Sequence, residues 1–245
     1  MNPIRTLATS RRVLRQLRHD PRTIALLLVV PCVLMTLLKY MFDGDPAAFD
    51  RTGAPLLGIF PLIVMFLITS VATLRERTSG TLERLLTMPL AKLDLILGYA
   101  IAFGMLALVQ AAVVFGLTLG PLGLTVEGPT WMLFLVALGN GLLGTALGLF
   151  VSAFAATEFQ AVQFLPAFIL PQFLLCGLFV PRDSMAPVLR WISDVLPMSY
   201  AVEAMNRLTT EADVSATTVR DLLIIAAAAL LALGLGAVTL RRRTA

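Results

Sequence analysis

Six apolar blocks run along this chain, each about 18 to 25 residues long, and a sequence built this way has few ways to fold. They are Ile24–Met41, Gly53–Leu74, Leu95–Leu119, Thr130–Phe154, Ala161–Val180 and Leu222–Leu240. About 20 apolar residues in a helix cross ~30 Å of hydrocarbon. No water is available there, so every backbone N–H and C=O must be paired within the protein. Runs of this length therefore have to be α-helices; a membrane barrel would show ~10-residue alternating strands. The expected fold is an all-α membrane protein with six transmembrane helices. Composition agrees. Apolar residues make up 58% of the chain, charged residues only 14%, and mean hydropathy is +0.88, where soluble domains carry about 25% charged residues.

The basic residues sit at the ends of the blocks, so the net charge of +4 points to topology rather than to nucleic acid. The N-terminal stretch (1–23), the stretch 75–94, the short turn after the fourth block and the tail together hold thirteen Arg and Lys. The stretches facing the other way hold five. Positive-inside then puts both termini in the cytoplasm of a multi-pass plasma-membrane protein. Tyr40, Trp131 and Trp191 fall near the outer face, as interfacial aromatics do. No cleavable signal is expected, because the first block is long enough to span and has no small-residue cleavage site behind it. Cys32 and Cys176 would lie ~10 Å apart in membrane depth, so they read as apolar packers and not as a disulfide.

Four segments say more than that. In the N-terminal stretch, Ile4, Leu7, Val13, Leu14 and Leu17 are interleaved with Arg11, Arg15 and Arg18. Those arginines share a helix face, the pattern of a helix lying on the inner leaflet, although topology alone also explains them. In 75–94, Ser79-Gly80 breaks the second span, Leu82, Leu85 and Leu86 share a face, and Pro89 ends the run. Such a short cytoplasmic helix either rests on the bilayer or docks into a groove on another protein. In the fourth block, Asn140, Gly144, Gly148 and Ser152 recur at every fourth residue and make a smooth face. Packing within the chain and dimerisation both account for it. In 181–221, Met185, Leu189, Ile192 and Leu196 repeat at helical spacing, and Met198–Leu208 forms a second helical run, so short outer helices are expected.

The sequence carries no phosphate loop, HExxH, CxxC or Gly-x-Ser-x-Gly, and its one histidine is His19. The polar residues near span centres are Gln110, Asn140, Gln163 and Gln172, each expected to make an interhelical hydrogen bond. An ion-coupled transporter or channel would want mid-membrane carboxylates. A membrane-embedded enzyme would want a nucleophile or metal constellation. Neither set is in the sequence.

The stretch RERTSGTLERLLTMPLAKLDLILGY, Arg75–Tyr99, resembles the segment between the second and third spans of type-2 ABC exporter permeases. Gly80, Thr81, Glu83, Leu85, Leu86, Pro89 and Leu90 stand at the matching places, with Met88 where a threonine or serine is common. Pro197, Tyr200, Glu203 and Arg207 fit the family's outer pattern with one extra residue before the arginine. The resemblance covers the whole chain, which reads as one transmembrane domain, 1–245: interface helix 1–23, spans 24–41, 53–74, 95–119, 130–154, 161–180 and 222–240, coupling-helix loop 75–94, outer region 181–221. It implies a permease subunit that exports a drug, lipid or glycan, paired with a second permease copy or paralogue and driven by a separate nucleotide-binding ATPase. ATP and Mg would sit on that partner, with no cofactor and no catalysis on this chain. Thr81, Leu82, Glu83, Arg84 and Leu85 would form the ATPase contact.

Overall fold

The computed structural model describes residues 3–81 and 92–239. Among these residues all regular structure is helical, with no strand. The helices are α1 (Pro3–Arg18), α2 (Pro21–Met41), α3 (Pro46–Thr78), α4 (Lys92–Leu119), α5 (Thr130–Val151), α6 (Glu158–Leu175), α7 (Pro187–Val195), α8 (Pro197–Thr210) and α9 (Ala216–Thr239), with a 3-10 turn at Arg182–Ser184. Five of them are long and apolar enough to cross a membrane: α2, α3, α4 (from Leu93), α5 and α9. The chain is a multi-pass membrane protein.

Boundaries shift where local chemistry overrides hydropathy. Asp45 caps α3 by accepting from Ala48 N at 3.0 Å, so this helix starts well before the apolar block and runs for 33 residues. At its other end Ser79 N–H donates to Arg75 O, and Gly80, at φ +70°, turns the chain out of the helix. The fifth block is shorter as a helix than as an apolar run. Thr157 caps α6 through Gln160 N, and the helix stops at Leu175, two residues before Gly177 at φ +95°. With Pro166, Pro171 and three glutamines inside its 18 residues, α6 stands apart from the five long apolar helices.

The centre of the bundle is the seam between α3 and α5. Gly144 and Gly148 bring α5 onto the α3 backbone: a Cβ at Gly144 would overlap the Leu62 carbonyl, and one at Gly148 would lie 2.7 Å from Phe66 O. In the same seam Asn140 Nδ2 donates to Gly58 O at 2.8 Å, and Ser152 is fully buried. The stripe of small residues is therefore covered by this chain's own α3. Around the seam Phe49, Leu57, Leu62, Phe66, Leu133 and Met205 form one buried core. A second core, with Leu27, Met65, Leu95, Tyr99 and Phe103, lies at the end of the bundle that carries α1.

α1 packs on α4. Its buried face is Thr6, Thr9, Ser10, Val13 and Leu17, and Gly98 lets Thr9 approach the α4 backbone. Ile4 and Leu7, expected on an apolar face with Val13 and Leu17, are exposed instead. Small polar residues make the closer fit to a neighbouring helix, which leaves the bulkier pair facing away.

Candidate functional site: an apolar groove with an ion-paired rim

The α1 end brings together side chains from α1, α3, α4 and α6 with the residue that caps α2. Arg12 reaches from α1 to Glu76 in the last turn of α3, with Nη1 on Oε1 at 3.1 Å and Nη2 on Oε2 at 2.9 Å. Tyr99 of α4 donates its hydroxyl to Glu76 and accepts from Arg12 Nη2 at 3.0 Å. Glu76 and Tyr99 are both buried. The fork-to-fork pairing is the strong form of a charge-assisted hydrogen bond, and the tyrosine supplies a further donor to the buried carboxylate. Two residues beyond Glu76 α3 ends, so the triad fixes the stem from which the stretch 82–91 departs.

Arg75, one residue earlier, faces the opposite side. Its Nε and Nη2 donate to the two Glu158 oxygens of α6 at 2.7 and 3.0 Å, and its Nη1 lies 3.8 Å from Asp20. Asp20 caps α2 through Thr23 N at 3.2 Å and accepts from the Thr23 hydroxyl at 2.8 Å. Those Thr23 bonds, with Arg75 nearby, hold its carboxyl below the usual carboxylate range.

A groove of about 520 Å³ lies along α2 and α3, with α1, α4 and α6 each contributing to its lining. Leu26, Val30, Ile63, Val64, Leu67 and Val162 line its apolar length, and Gln16, Asp20, Arg75 and Glu76 form its polar end. Such a shape, a long apolar wall with a few convergent polar groups at one end, suits an amphipathic molecule.

Arg11, Arg15 and Arg18 are exposed on α1 and none of them joins the triad. Thr81 follows the α3 cap, its hydroxyl 2.9 Å from Ser79 Oγ. Leu82, Glu83, Arg84 and Leu85 lie outside the described residues. Of the four span-centre amides, only Asn140 makes the expected interhelical bond. Gln172 bonds to Phe168 O within its own helix, Gln163 is exposed, and Gln110 is fully buried with no partner among the described residues. A glutamine side chain is long enough to bend back onto its own helix, so a mid-span position does not dictate a partner helix.

Sequence reasoning passed over Arg12, Arg75, Glu76, Tyr99 and Glu158. One signal for Glu76 was on view: it is the only acid in the basic run Arg75–Arg77 that closes the second span. An acid there needs a base, but nothing local says which one.

The family model for the ABC-2 type transporter matches residues 5–208. Among curated proteins, the chain is 27% identical over 210 residues to the probable multidrug ABC transporter permease YbhS of Escherichia coli (strain K12), covering 84% of this chain and 55% of that protein. It is 29% identical over 171 residues to the inner membrane transport permease YhhJ of the same organism, 69% of this chain and 45% of that one. With the linearmycin resistance permease protein LnrN of Bacillus subtilis (strain 168) it shares 25% over 180 residues, 74% of this chain and 46% of that one. The chain spans about half the length of these relatives.

Proposed function

The chain belongs to the ABC-2 type transporter family, and from that premise we propose that it is the permease of an ATP-driven exporter, moving a hydrophobic or amphipathic molecule out of the cytoplasm or the inner leaflet. The match over residues 5–208, from α1 into the last turn of α8, carries this reading. Relatives whose names include "multidrug" and "linearmycin resistance" support an amphipathic cargo, as does the groove with its polar end. In this reading α6 is the sixth span: its 18 residues extend about 27 Å, close to the hydrocarbon thickness. The α1 end faces the cytoplasm, following the thirteen-to-five excess of basic residues.

Energy enters from a separate ATPase that binds ATP and Mg, and two permease chains work side by side. Thr81, Leu82, Glu83, Arg84 and Leu85 dock on that ATPase, with leucines in its groove and Glu83 and Arg84 at the rim. Arg12, Glu76 and Tyr99 then pass a push on the loop to α1, α3 and α4 together, since the triad joins all three. α1, with Arg11, Arg15 and Arg18 outward, meets anionic headgroups.

The test is copurification of the partner ATPase with the wild type and with Leu85→Asp at equal membrane expression, together with ATP-dependent uptake of a fluorescent amphipathic dye into inverted vesicles. A charge in an apolar contact costs several kcal/mol, and each 1.4 kcal/mol weakens binding about tenfold. The expected result is ATPase binding and uptake for the wild type and loss of both in Leu85→Asp. An undiminished complex with full uptake in the variant rejects the docking surface; no ATP-dependent uptake by the wild-type complex rejects the exporter.

A further inference from the structure

Among the described residues, three charged groups enter the lining of the groove along α2 and α3: Asp20, Arg75 and Glu76. Two of them are already matched. Glu76 accepts both arms of Arg12 and the Tyr99 hydroxyl. Arg75 donates Nε and Nη2 to the two oxygens of Glu158. Asp20 is different. Its oxygens accept from Thr23, through N at 3.2 Å and the hydroxyl at 2.8 Å, and both donors are neutral. Arg75, already paired with Glu158, brings Nη1 no closer than 3.8 Å, beyond hydrogen-bond reach. The polar end of the groove is therefore left with an unbalanced negative charge, and it sits on Asp20. The Thr23 bonds hold that carboxyl below the usual carboxylate range, so it stays ionised at neutral pH. Its side chain is 37% exposed, within reach of a ligand. Arg18 and Arg22, on either side in the sequence, are exposed and lie outside the lining, where water and salt screen them.

Beyond Asp20 the wall is apolar. Leu26 and Val30 follow about 9 and 15 Å further along α2, at 1.5 Å per residue. Ile63, Val64 and Leu67 of α3 face the same groove. Leu26, Val30 and Val162 are 61%, 39% and 44% exposed, so the groove is open along its side to whatever surrounds the bundle. In a membrane protein that surrounding is lipid, and a molecule dissolved in the leaflet can enter sideways. An apolar wall with a single unmatched carboxylate at its polar end is complementary to an apolar chain with a cationic head. A neutral amphiphile would leave the carboxylate without a counter-charge, and an anionic one would meet a like charge.

We infer that this groove selects cationic amphiphiles, with Asp20 pairing their protonated amine and the α2–α3 wall holding the apolar body. That such molecules are cargo rests on the exporter reading; that they bind here does not. Asp20 also caps α2, and Asn caps a helix as well as Asp does, so Asp20→Asn removes the charge and keeps the start of the helix.

The full chain is placed in phosphatidylcholine nanodiscs, and binding is read by fluorescence above empty discs. Three dansyl-tagged probes of equal chain length are compared: a primary amine, its N-acetylated form and the matching carboxylate. The wild type should bind the amine at least about tenfold more tightly than the acetylated probe, a difference of about 1.4 kcal/mol, and the carboxylate most weakly. In Asp20→Asn the amine should fall to the affinity of the acetylated probe, whose own affinity should not change. Asp43→Asn, which removes a carboxylate beyond the far end of α2, should bind all three as the wild type does. Leu67→Trp, which fills the apolar wall, should weaken the amine and the acetylated probe together. A wild type that holds the amine no more tightly than its acetylated form, or that prefers the carboxylate, overturns the inference. So does a preference that survives Asp20→Asn or is lost equally in Asp43→Asn. Loss of both the amine and the acetylated probe in Asp20→Asn overturns it too, because the residue would then shape the groove without reading charge. Undiminished binding in Leu67→Trp overturns the placement in this groove. With the partner ATPase in inverted vesicles, ATP-dependent uptake should favour the amine in the wild type and not in Asp20→Asn. Absence of uptake for every probe counts against the exporter reading alone, and the nanodisc comparison, which needs no ATP, still decides the groove.

Discussion

Removing the Glu76 carboxylate should undock α1 without dissolving the bundle. In Glu76→Ala, Arg12 loses both of its charge-assisted bonds and the buried Tyr99 hydroxyl loses its acceptor. Breaking a buried pair by deleting one partner costs about 3–5 kcal/mol, because the surviving charge is left without compensation. Here the Arg12 side chain is 29% exposed and can turn toward water, which cuts that cost. An unpaired buried hydroxyl adds about 1–3 kcal/mol. A net loss of about 3 kcal/mol corresponds to roughly a hundredfold shift in the docking equilibrium of α1, at 1.4 kcal/mol per tenfold. Hydrogen exchange read by mass spectrometry, on the full chain in nanodiscs, checks this. Amides of Pro3–Arg18 should exchange about a hundredfold faster in Glu76→Ala, while those of Thr130–Val151 keep their protection, because a lone 16-residue helix is only marginally stable. Glu76→Gln, which keeps an acceptor for one bond, should fall between. Unchanged exchange in α1 would refute the claim that the triad is what holds it.

Two further predictions concern packing and capping. Gly148→Val puts a branched side chain where a Cβ already lies 2.7 Å from Phe66 O, against backbone that cannot yield; the cost should be about 3 kcal/mol or more, seen as a lowered melting temperature and loss of monodisperse protein in detergent, whereas Gly234→Ala, with open space around it, should melt like the wild type. Asp20→Ala removes the α2 cap and should cost about 1 kcal/mol, visible as faster exchange at Thr23 and the residues after it. The sign of its pH dependence follows from the depressed pKa: the Asp20 contribution is complete above the ordinary carboxylate pKa and is lost as pH falls through the lower folded value, so wild type and Asp20→Ala should converge in acid.

By itself the sequence determined the helical membrane class, most of the spans and the break after the second. These depend on quantities carried locally: apolar length, a Ser-Gly pair at 79–80, and basic residues at block ends. Lipid has no competing hydrogen bonds to offer, so a long apolar run has a single backbone solution and needs no knowledge of its neighbours. The five-residue overhang of the fifth block past Leu175 shows the limit of that rule, since hydropathy does not see a helix end set by Gly177 at positive φ. What only the tertiary structure decided is which faces meet. Arg12 and not Arg11, Arg15 or Arg18 pairs inward, because its partners, 64 and 87 residues away, arrive with α3 and α4. The Asn140–Ser152 stripe suited a second chain or a neighbouring helix equally, until α3 presented the Leu62 and Phe66 carbonyls to Gly144 and Gly148. In the sequence Glu203 and Arg207 stand on an expected outer helix and Arg182 and Asp221 at the two ends of the stretch 181–221, and only the convergence of the α6 exit, α8 and α9 links them. Periodicity tells which residues share a face, whereas the partner of that face is set by three-dimensional packing between segments that the sequence keeps far apart.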